Sequence, residues 1–265
     1  MAASARRIAA IVPFVGRLRP ALMRTSGALA PLLRGVASLS ADLPLTLAHV
    51  AQARERLRAA RVPCTPILRS PWVDERTGVN VHFKCEHLQD TGSFKLRGAT
   101  NAVLALSVDA SRSGIVAHSS GNHGAGCASA AKRRGVPCAI IVPHTTPASK
   151  IDNMKRFGSD VILCEPTQRS RSEVAAREAA RRGATLVHPY NDPLVIAGQG
   201  TIGMELAEQV PQLDAVLVPT SGGGMVTGIA VALKAKLFFL FSRPPLPQNK
   251  SHLIILYQII VNYIY

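Results

Sequence analysis

Apolar strands and helices alternate along most of this chain, and no other feature constrains the fold as strongly. Short apolar runs are each followed by a segment whose apolar residues have helical spacing. Strands are expected at Val79–Lys84, Gly114–His118, Cys138–Val142, Val161–Cys164, Thr185–His188 and Ala215–Val218, and helices at Leu43–Arg61, Phe94–Leu106, Ala125–Arg134, Ser149–Phe157, Arg171–Arg182, Gly198–Gln209 and Met225–Ala235. This alternation predicts an α/β protein with a mostly parallel sheet. Such folds bind ligands where loops join the carboxyl ends of strands to helix N-termini.

One lysine lies in a segment that suits covalent chemistry. The segment Gly92–Gly98 (GSFKLRG) places Lys95 beside Phe94, between a small polar residue and a glycine. A lysine that forms a Schiff base must be neutral for part of the reaction, so it needs a partly desolvated pocket. Most lysines are solvated surface charges, and the segment alone does not separate the two interpretations.

Two loops between strands and helices carry residues that bind anions. In Ser221–Gly224, consecutive glycines let backbone N–H groups converge on an anion, and the following helix N-terminus favours negative charge. A phosphate site and a flexible turn both remain open for this loop. Ser119–Gly124 (SSGNHG) offers hydroxyl, amide and imidazole groups for a carboxylate, a phenolic oxygen or a migrating proton. A structural role for His123 remains the alternative.

Charge is distributed in a way that argues against nucleic-acid binding. The chain has 31 Lys and Arg against 16 Asp and Glu, a net charge of +15. Residues 1–41 hold six arginines and no acid, and residues 236–265 hold three basic residues and no acid. The remaining excess is modest, and no aromatic residues are interleaved with basic ones for base stacking. We therefore expect no nucleic-acid partner.

Both ends differ in composition from the centre. Residues 1–41 are rich in Arg, Ala, Ser and Leu and free of acid, which is typical of a mitochondrial or plastid transit peptide; a disordered basic tail of a cytoplasmic protein is the alternative. Residues 236–265 hold half of the chain's aromatic residues, and their apolar run Leu253–Tyr265 is too short to predict a membrane helix. We expect these last residues to be a non-native ending.

The cysteines and acidic residues predict no metal site. Five cysteines are scattered along the chain, and no pair has the spacing of a metal or redox motif. Buried free thiols are the default for such residues, which suits a reducing compartment.

Several segments together resemble the eukaryotic serine racemases and the related serine/threonine dehydratases, which are fold-type II pyridoxal-phosphate enzymes. The matching segments are Gly92–Ala99, His118–Gly124, Pro143–Lys150, His188–Pro189, Ile196–Glu205 and Val218–Gly228. The resemblance implies a tryptophan synthase β-like fold of two α/β domains with parallel sheets. Residues 42–108 and 192–235 would form an incomplete large domain that binds pyridoxal phosphate, residues 109–191 a small domain, and residues 236–265 a tail foreign to the family.

The resemblance also assigns roles to individual residues. It makes Lys95 the Schiff-base lysine and Ser120 the acid/base on the opposite face of the cofactor. The substrate carboxylate would be held by Ser119, Ser120, Asn122 and His123, with Asn122 also on the cofactor's ring oxygen. Phe94 would contact the cofactor, Tyr190 the substrate, and the phosphate would be bound by Ser221, Gly222, Gly223, Gly224 and Met225. The implied reaction is racemisation of serine, elimination of water from L-serine or L-threonine, or both.

The chain departs from the family in two ways. The family continues past Ala235 into residues that complete the large domain and bind a structural Mg²⁺ or Ca²⁺, so no metal ligand is expected here. A homodimer and activation by Mg²⁺ and ATP are implied by the family alone. Tyr190 stands where many serine racemases have Asn and dehydratases have an aromatic, which favours elimination. Two alternatives stay open: an inactive truncated isoform or gene-model fragment, and a phosphate-binding module without Schiff-base chemistry.

Overall fold

Two four-stranded sheets organise the chain, whose structure is a computed structural model that describes residues 45–240 and 252–256. The helices are α1 (Leu47–Ala59), α2 (Pro71–Thr77), α3 (Lys95–Ala105), α4 (Val108–Arg112), α5 (Asn122–Arg134), α6 (Ala148–Lys155), α7 (Gln168–Arg182), α8 (Pro193–Gln209) and α9 (Gly224–Leu240). The strands are β1 (Ile67–Arg69), β2 (Asn80–Lys84), β3 (Ile115–His118), β4 (Cys138–Pro143), β5 (Asp160–Cys164), β6 (Thr185–Leu186), β7 (Ala215–Leu217) and β8 (His252–Leu256). A 3₁₀ turn covers Glu86–Leu88.

The second sheet is parallel throughout and has the strand order β5-β4-β3-β6. Strands β3 and β4 are buried along their whole length, because α5 covers one face of the sheet and α7 the other. Parallel strands covered on both faces read as continuous apolar runs, and β4 (CAIIVP) is such a run. The predicted α/β architecture is confirmed.

The first sheet has the order β1-β2-β8-β7. Strand β1 pairs antiparallel with β2, while β8 lies parallel between β2 and β7. Strand β8 comes from the segment that we expected to be foreign to the fold, yet it pairs with both β2 and β7. The domain boundaries and the nature of residues 236–265 stay predictions.

Helix α8 packs closely on its neighbours because it carries glycines on several faces. A Cβ on Gly198 would lie 2.6 Å from the Cα of Gly98 in α3. A Cβ on Gly200 would lie 2.8 Å from the Gly228 carbonyl oxygen of α9, and one on Gly203 would lie 2.9 Å from the Ala232 Cβ. Side chains normally hold helices farther apart, so these glycines bring α3 and α9 to within backbone contact of α8.

Three helices begin three to five residues earlier than the sequence predicted, and one of them is α7, which starts at Gln168. Helix α5 starts at Asn122, so Asn122 and His123 lie in its first turn and not in a loop. Helix α8 starts at Pro193 because the Asp192 carboxylate accepts hydrogen bonds from the next backbone N–H groups and proline suits the first helical position. The short elements β1, α2 and α4 were not predicted.

Several predictions concern residues that the structure does not describe. The transit-peptide prediction for residues 1–41 lies outside the described residues, as does most of the tail after Leu240. Within residues 45–240, no helix is both long enough and apolar enough to span a bilayer.

Candidate active site

Lys95 is the first residue of α3, and its side chain is half-buried. Its Nζ donates a hydrogen bond to the Pro189 carbonyl oxygen at 2.5 Å. Burial lowers the pKa of the Lys95 amine from 10.5 to about 8. About a tenth of such amines are neutral at pH 7, against about one in three thousand for a lysine in water. The desolvated pocket expected for a reactive lysine is therefore present.

The first turns of α5 lie directly against Lys95. A Cβ on Gly126 would lie 3.0 Å from the Lys95 carbonyl oxygen, so the two helices touch at this point. His123 Nε2 donates to the Val187 carbonyl oxygen at 3.2 Å, since a carbonyl can only accept. Burial and the charge of Lys95 lower the pKa of His123 to about 3, so its ring is neutral. The Cys127 Sγ lies 3.4 Å from His123 Nε2, and burial raises the pKa of this thiol well above its usual value.

The loop before α5 faces an open cavity. The Ser119 Oγ accepts a hydrogen bond from the Gly121 N–H at 3.0 Å, which shapes the loop. The Ser120 side chain is exposed. The cavity has a volume of about 550 Å³ and is lined by Gly121, Asn122, Ser149, Lys150, Asp152, Asn153 and Arg156. Ser120 can thus be reached by a small molecule, and Asn122 lines a space large enough for one.

The glycine loop joins β7 to the N-terminus of α9. Gly223 has φ +85°, a conformation that L side chains rarely adopt. The Thr227 N–H donates to the Gly223 carbonyl oxygen at 3.0 Å and closes the first helical turn. The N–H groups of the residues before Thr227 have no partner within the helix, as at every helix start, and they can bind an anion. Met225 supplies one of these N–H groups, while its side chain is buried in the core under the helix.

The segment His188–Tyr190 connects the lysine to the glycine loop. Its Pro189 carbonyl binds Lys95, and the Tyr190 ring packs on the loop so closely that a Cβ on Gly222 would overlap it. A Cβ on Gly224 would lie 2.8 Å from the Tyr190 carbonyl oxygen. The His188 ring meets the Tyr190 ring edge-on with centroids 4.7 Å apart, and its Nδ1 accepts the Asn191 N–H at 2.9 Å. One short segment therefore touches two of the three predicted binding segments.

The structure brings together most residues that the sequence singled out. Lys95 lies near the Phe94 ring and binds the Pro189 carbonyl, Tyr190 packs on the glycine loop, and His123 is close enough to Lys95 for the lysine charge to lower its pKa. Ser120 and Ser221 are exposed, each in its own loop. Two neighbours of Lys95 were not predicted: the Pro189 carbonyl, although the His188–Pro189 pair was among the matching segments, and Cys127, which acts on the Lys95 amine from α5.

Comparison with known proteins relates this arrangement to a family. The family model described as pyridoxal-phosphate dependent enzyme matches residues 60–246. A serine racemase of Oryza sativa subsp. indica is 46% identical over 186 residues, which are 70% of this chain and 55% of that protein. A beta-hydroxyaspartate dehydratase of Paracoccus denitrificans is 47% identical over 181 residues, 68% of this chain and 57% of that protein.

Solved structures agree with this relation. Maize serine racemase matches with a TM-score of 0.72 and 42% identity, over 73% of this chain and 59% of that one. A serine racemase from Dictyostelium discoideum matches with a TM-score of 0.69 and 38% identity, over 72% of this chain and 62% of that one. The chain therefore spans little more than half the length of the relatives that it matches.

Proposed function

Because the chain belongs to the pyridoxal-phosphate dependent enzyme family, we propose that Lys95 binds pyridoxal phosphate covalently and that the protein acts on serine or threonine. The proposed reactions are racemisation of serine, elimination of water from serine or threonine, or both. The observation that carries this proposal is the desolvated Lys95 amine, held at the Pro189 carbonyl by one hydrogen bond. A surface lysine would lack this environment.

The residues present fit the cofactor. The glycine loop offers N–H groups at the start of α9, and a side chain on Gly222 or Gly224 would collide with Tyr190. A Cβ on Gly223 would meet no atom within 4 Å, so the loop backbone is open to a phosphate at that residue. When bound, pyridoxal phosphate supplies an aldehyde that condenses with an amine and a ring that accepts electrons from the α-carbon. We propose that Gly222, Gly223, Gly224 and Met225 hold the phosphate, with Ser221 at its edge.

The chain's own residues would move the protons. Lys95, neutral in part at pH 7, would take the α-proton of the amino acid on one face. Ser120, which is exposed at the loop before α5, would exchange a proton on the opposite face. Racemisation needs a proton carrier on each face of the cofactor. Elimination of water from L-serine needs Lys95 as the base and a proton for the departing hydroxyl. The 2-aminoacrylate that remains after loss of water is released and hydrolysed by one water molecule to pyruvate and ammonia.

The loop before α5 would bind the substrate carboxylate. We propose Ser119, Ser120, Asn122 and His123 for this role, with Asn122 also on the cofactor's ring oxygen and Phe94 against the cofactor. The neutral His123 ring donates its single N–H to the Val187 carbonyl, so His123 would contribute to carboxylate binding indirectly, by fixing the start of α5. Tyr190 is 38% exposed beside the glycine loop. We propose that its ring contacts the substrate and favours elimination over racemisation.

The experiment that tests the proposal separates cofactor binding from turnover. The purified chain is titrated with pyridoxal phosphate, reduced with borohydride, digested and mapped by mass spectrometry. We expect the adduct on Lys95, its loss in Lys95→Met, and its retention in the control Lys150→Met, which removes another half-buried lysine near the site. An adduct on other lysines, or equal labelling of Lys95→Met, would refute the assignment. Formation of pyruvate from L-serine and of D-serine then decides the reaction.

Further properties of the family are proposed on resemblance alone. We propose a homodimer, organelle import directed by residues 1–41, and activation by Mg²⁺ and ATP. Within the described residues, no three His, Cys, Asp or Glu side chains are grouped as a metal site. Light scattering tests the homodimer, and a fluorescent fusion of residues 1–41 tests the import.

A further inference from the structure

Four charged side chains lie buried together beneath the site, and the proposed reaction does not use them. Lys84 is 0% exposed, Arg97 1%, Glu86 2% and Glu205 8%. We refer to these four residues as the charge cluster. It holds two cations and two carboxylates, so its charges balance. Buried ions of this kind require partners for nearly every polar atom.

Arg97 is the centre of the charge cluster. Its guanidinium donates two hydrogen bonds of 2.8 Å to the Glu86 carboxylate and bonds of 2.6 and 2.8 Å to the Glu205 carboxylate. Lys84 Nζ donates to Glu205 at 2.5 Å and to the Thr65 carbonyl oxygen at 2.8 Å. Paired bonds to a planar fork restrict direction as well as distance. The charge cluster therefore holds its four side chains in a fixed relative orientation.

The charge cluster connects the helix that carries Lys95 to the helix that follows the Pro189 carbonyl. Arg97 lies in the first turn of α3, two residues after Lys95, and Glu205 lies in α8. Helix α8 follows directly on the segment that supplies the Pro189 carbonyl. The same two helices meet at Gly98 and Gly198, where there is no room for a side chain to interlock them. Five hydrogen bonds join α3 to α8, and Arg97 donates three of them, two to Glu205 and one to Thr201.

Stability alone does not explain buried charges, because well-packed apolar residues often stabilise a protein as well or better. We propose that the charge cluster is a positioning device for Lys95: it fixes α3 against α8 so that the Lys95 amine stays at the Pro189 carbonyl, out of solvent. This inference rests on the proposed function, because the position of Lys95 matters only if Lys95 reacts, but its test does not require the cofactor. Arg97 and Glu205 are positioning residues, since neither touches the amine.

Loss of the charge cluster would change the pKa of the Lys95 amine. The groups that face its amine are Cys127 and His123 on α5 and His188 on the connecting segment. None of these is an anion at neutral pH, so burial controls the proton affinity of the amine. If the helices shift and water reaches the amine, its pKa rises from about 8 towards 10.5.

The test measures Lys95 in the full chain without cofactor. The amine is labelled by a brief pulse of an acylating reagent across a pH series, and labelling of Lys95 is read from its peptide by mass spectrometry. The double variant Lys84→Met/Glu205→Leu removes one cation and one anion, so charges still balance and the Arg97–Glu86 pair remains. We expect its apparent pKa for Lys95 to rise by at least one unit, which lowers labelling at pH 8 about five-fold.

Two further variants make the result decisive. Leu57→Ala, on α1 against α8, creates a cavity outside the charge cluster and controls for general destabilisation; we expect it to leave the Lys95 pKa unchanged. Arg97→Lys keeps the charge but loses the fork, and we expect a smaller rise in the same direction. If the double variant does not fold, Arg97→Lys decides. An unchanged Lys95 pKa in a folded variant, or an equal rise in Leu57→Ala, would overturn the proposal.

Failure of the proposed function would leave a different signature. If pyridoxal phosphate did not bind to Lys95, borohydride mapping of the parent chain would find no adduct there. The pKa of Lys95 would still respond to the charge cluster in the labelling series. The two proposals can therefore fail independently.

Discussion

Replacing Lys95 by methionine should change how the stability of the chain depends on pH. In the folded chain the Lys95 amine is desolvated at the Pro189 carbonyl, and its pKa is about 8 instead of 10.5. In the unfolded chain the same amine is solvated and binds its proton more tightly. Methionine has a similar length and no proton to bind, so the variant removes this one difference between the two states.

The size of the effect follows from the two pKa values. Below pH 7 both states are mostly protonated at Lys95, and a shift from 10.5 to about 8 destabilises the fold by about 3.4 kcal/mol. Because the unfolded state holds the proton more tightly, stability rises with pH between about 8 and 10.5. At pH 9.5 about 1.4 kcal/mol of the cost remains, so about 2 kcal/mol is recovered between pH 7 and pH 9.5.

Urea unfolding of the parent and of Lys95→Met at these two pH values measures the recovery. We expect Lys95→Met to be the more stable chain at pH 7, and the difference in unfolding free energy to narrow by about 2 kcal/mol at pH 9.5. Other groups titrate equally in both chains, so they cancel in this comparison. A difference that stays constant with pH would show that the Lys95 amine is solvated and has the proton affinity of an ordinary surface lysine.

Three further predictions concern packing, the glycine loop and the buried histidine. Gly198→Ala should lower the urea midpoint, since overpacking against Gly98 costs about 1–3 kcal/mol and alanine's helix propensity returns at most about 1; an unchanged midpoint would contradict the close contact. Gly223→Ala should weaken pyridoxal phosphate binding about ten-fold, because a left-handed alanine costs about 1–2 kcal/mol and the loop can avoid this cost only by leaving its binding conformation. The control Gly158→Ala has φ +84° and open space in a distant turn, so it should destabilise the fold equally and leave binding intact. The His123 ring signals should not titrate between pH 5 and pH 8 by NMR, whereas a transition in that range would place the ring in solvent.

The order of elements could be predicted from the sequence because local patterns determine it. Apolar runs such as Cys138–Val142 and helical spacing such as that of Phe94–Leu106 were placed to within a residue or two. Helix α8 was predicted five residues too late, because the Asp192 carboxylate and Pro193 begin the helix before its glycine-rich apolar stretch. Strand β1 has three residues and no periodic pattern, so only its partner β2 reveals it.

The candidate site could be predicted in parts, and its assembly could not. Lys95, the loop Ser119–Gly124 and the loop Ser221–Gly224 each have a local signature of small, polar or glycine residues. Their connection runs through the Pro189 carbonyl and the face of Tyr190. A main-chain carbonyl is present at every residue, so no residue type marks it as the partner of a lysine. The charge cluster is hidden for a related reason, since Glu86 and Glu205 are far apart in the chain and each looks like an ordinary surface acid.

Three helix starts give the site its electrostatic character. Lys95 opens α3, Asn122 opens α5, and Gly224 opens α9. Each helix N-terminus carries partial positive charge, which disfavours an ammonium ion and favours a phosphate or carboxylate. Burial is the main cause of the lowered pKa of Lys95, and the helix N-terminus acts in the same direction; the same helix ends would favour the anionic cofactor and substrate that we propose. Helices α3 and α5 touch at Gly126, and the segment Pro189–Tyr190 contacts both Lys95 and the glycine loop, so direct contacts join the three helices that these motifs begin.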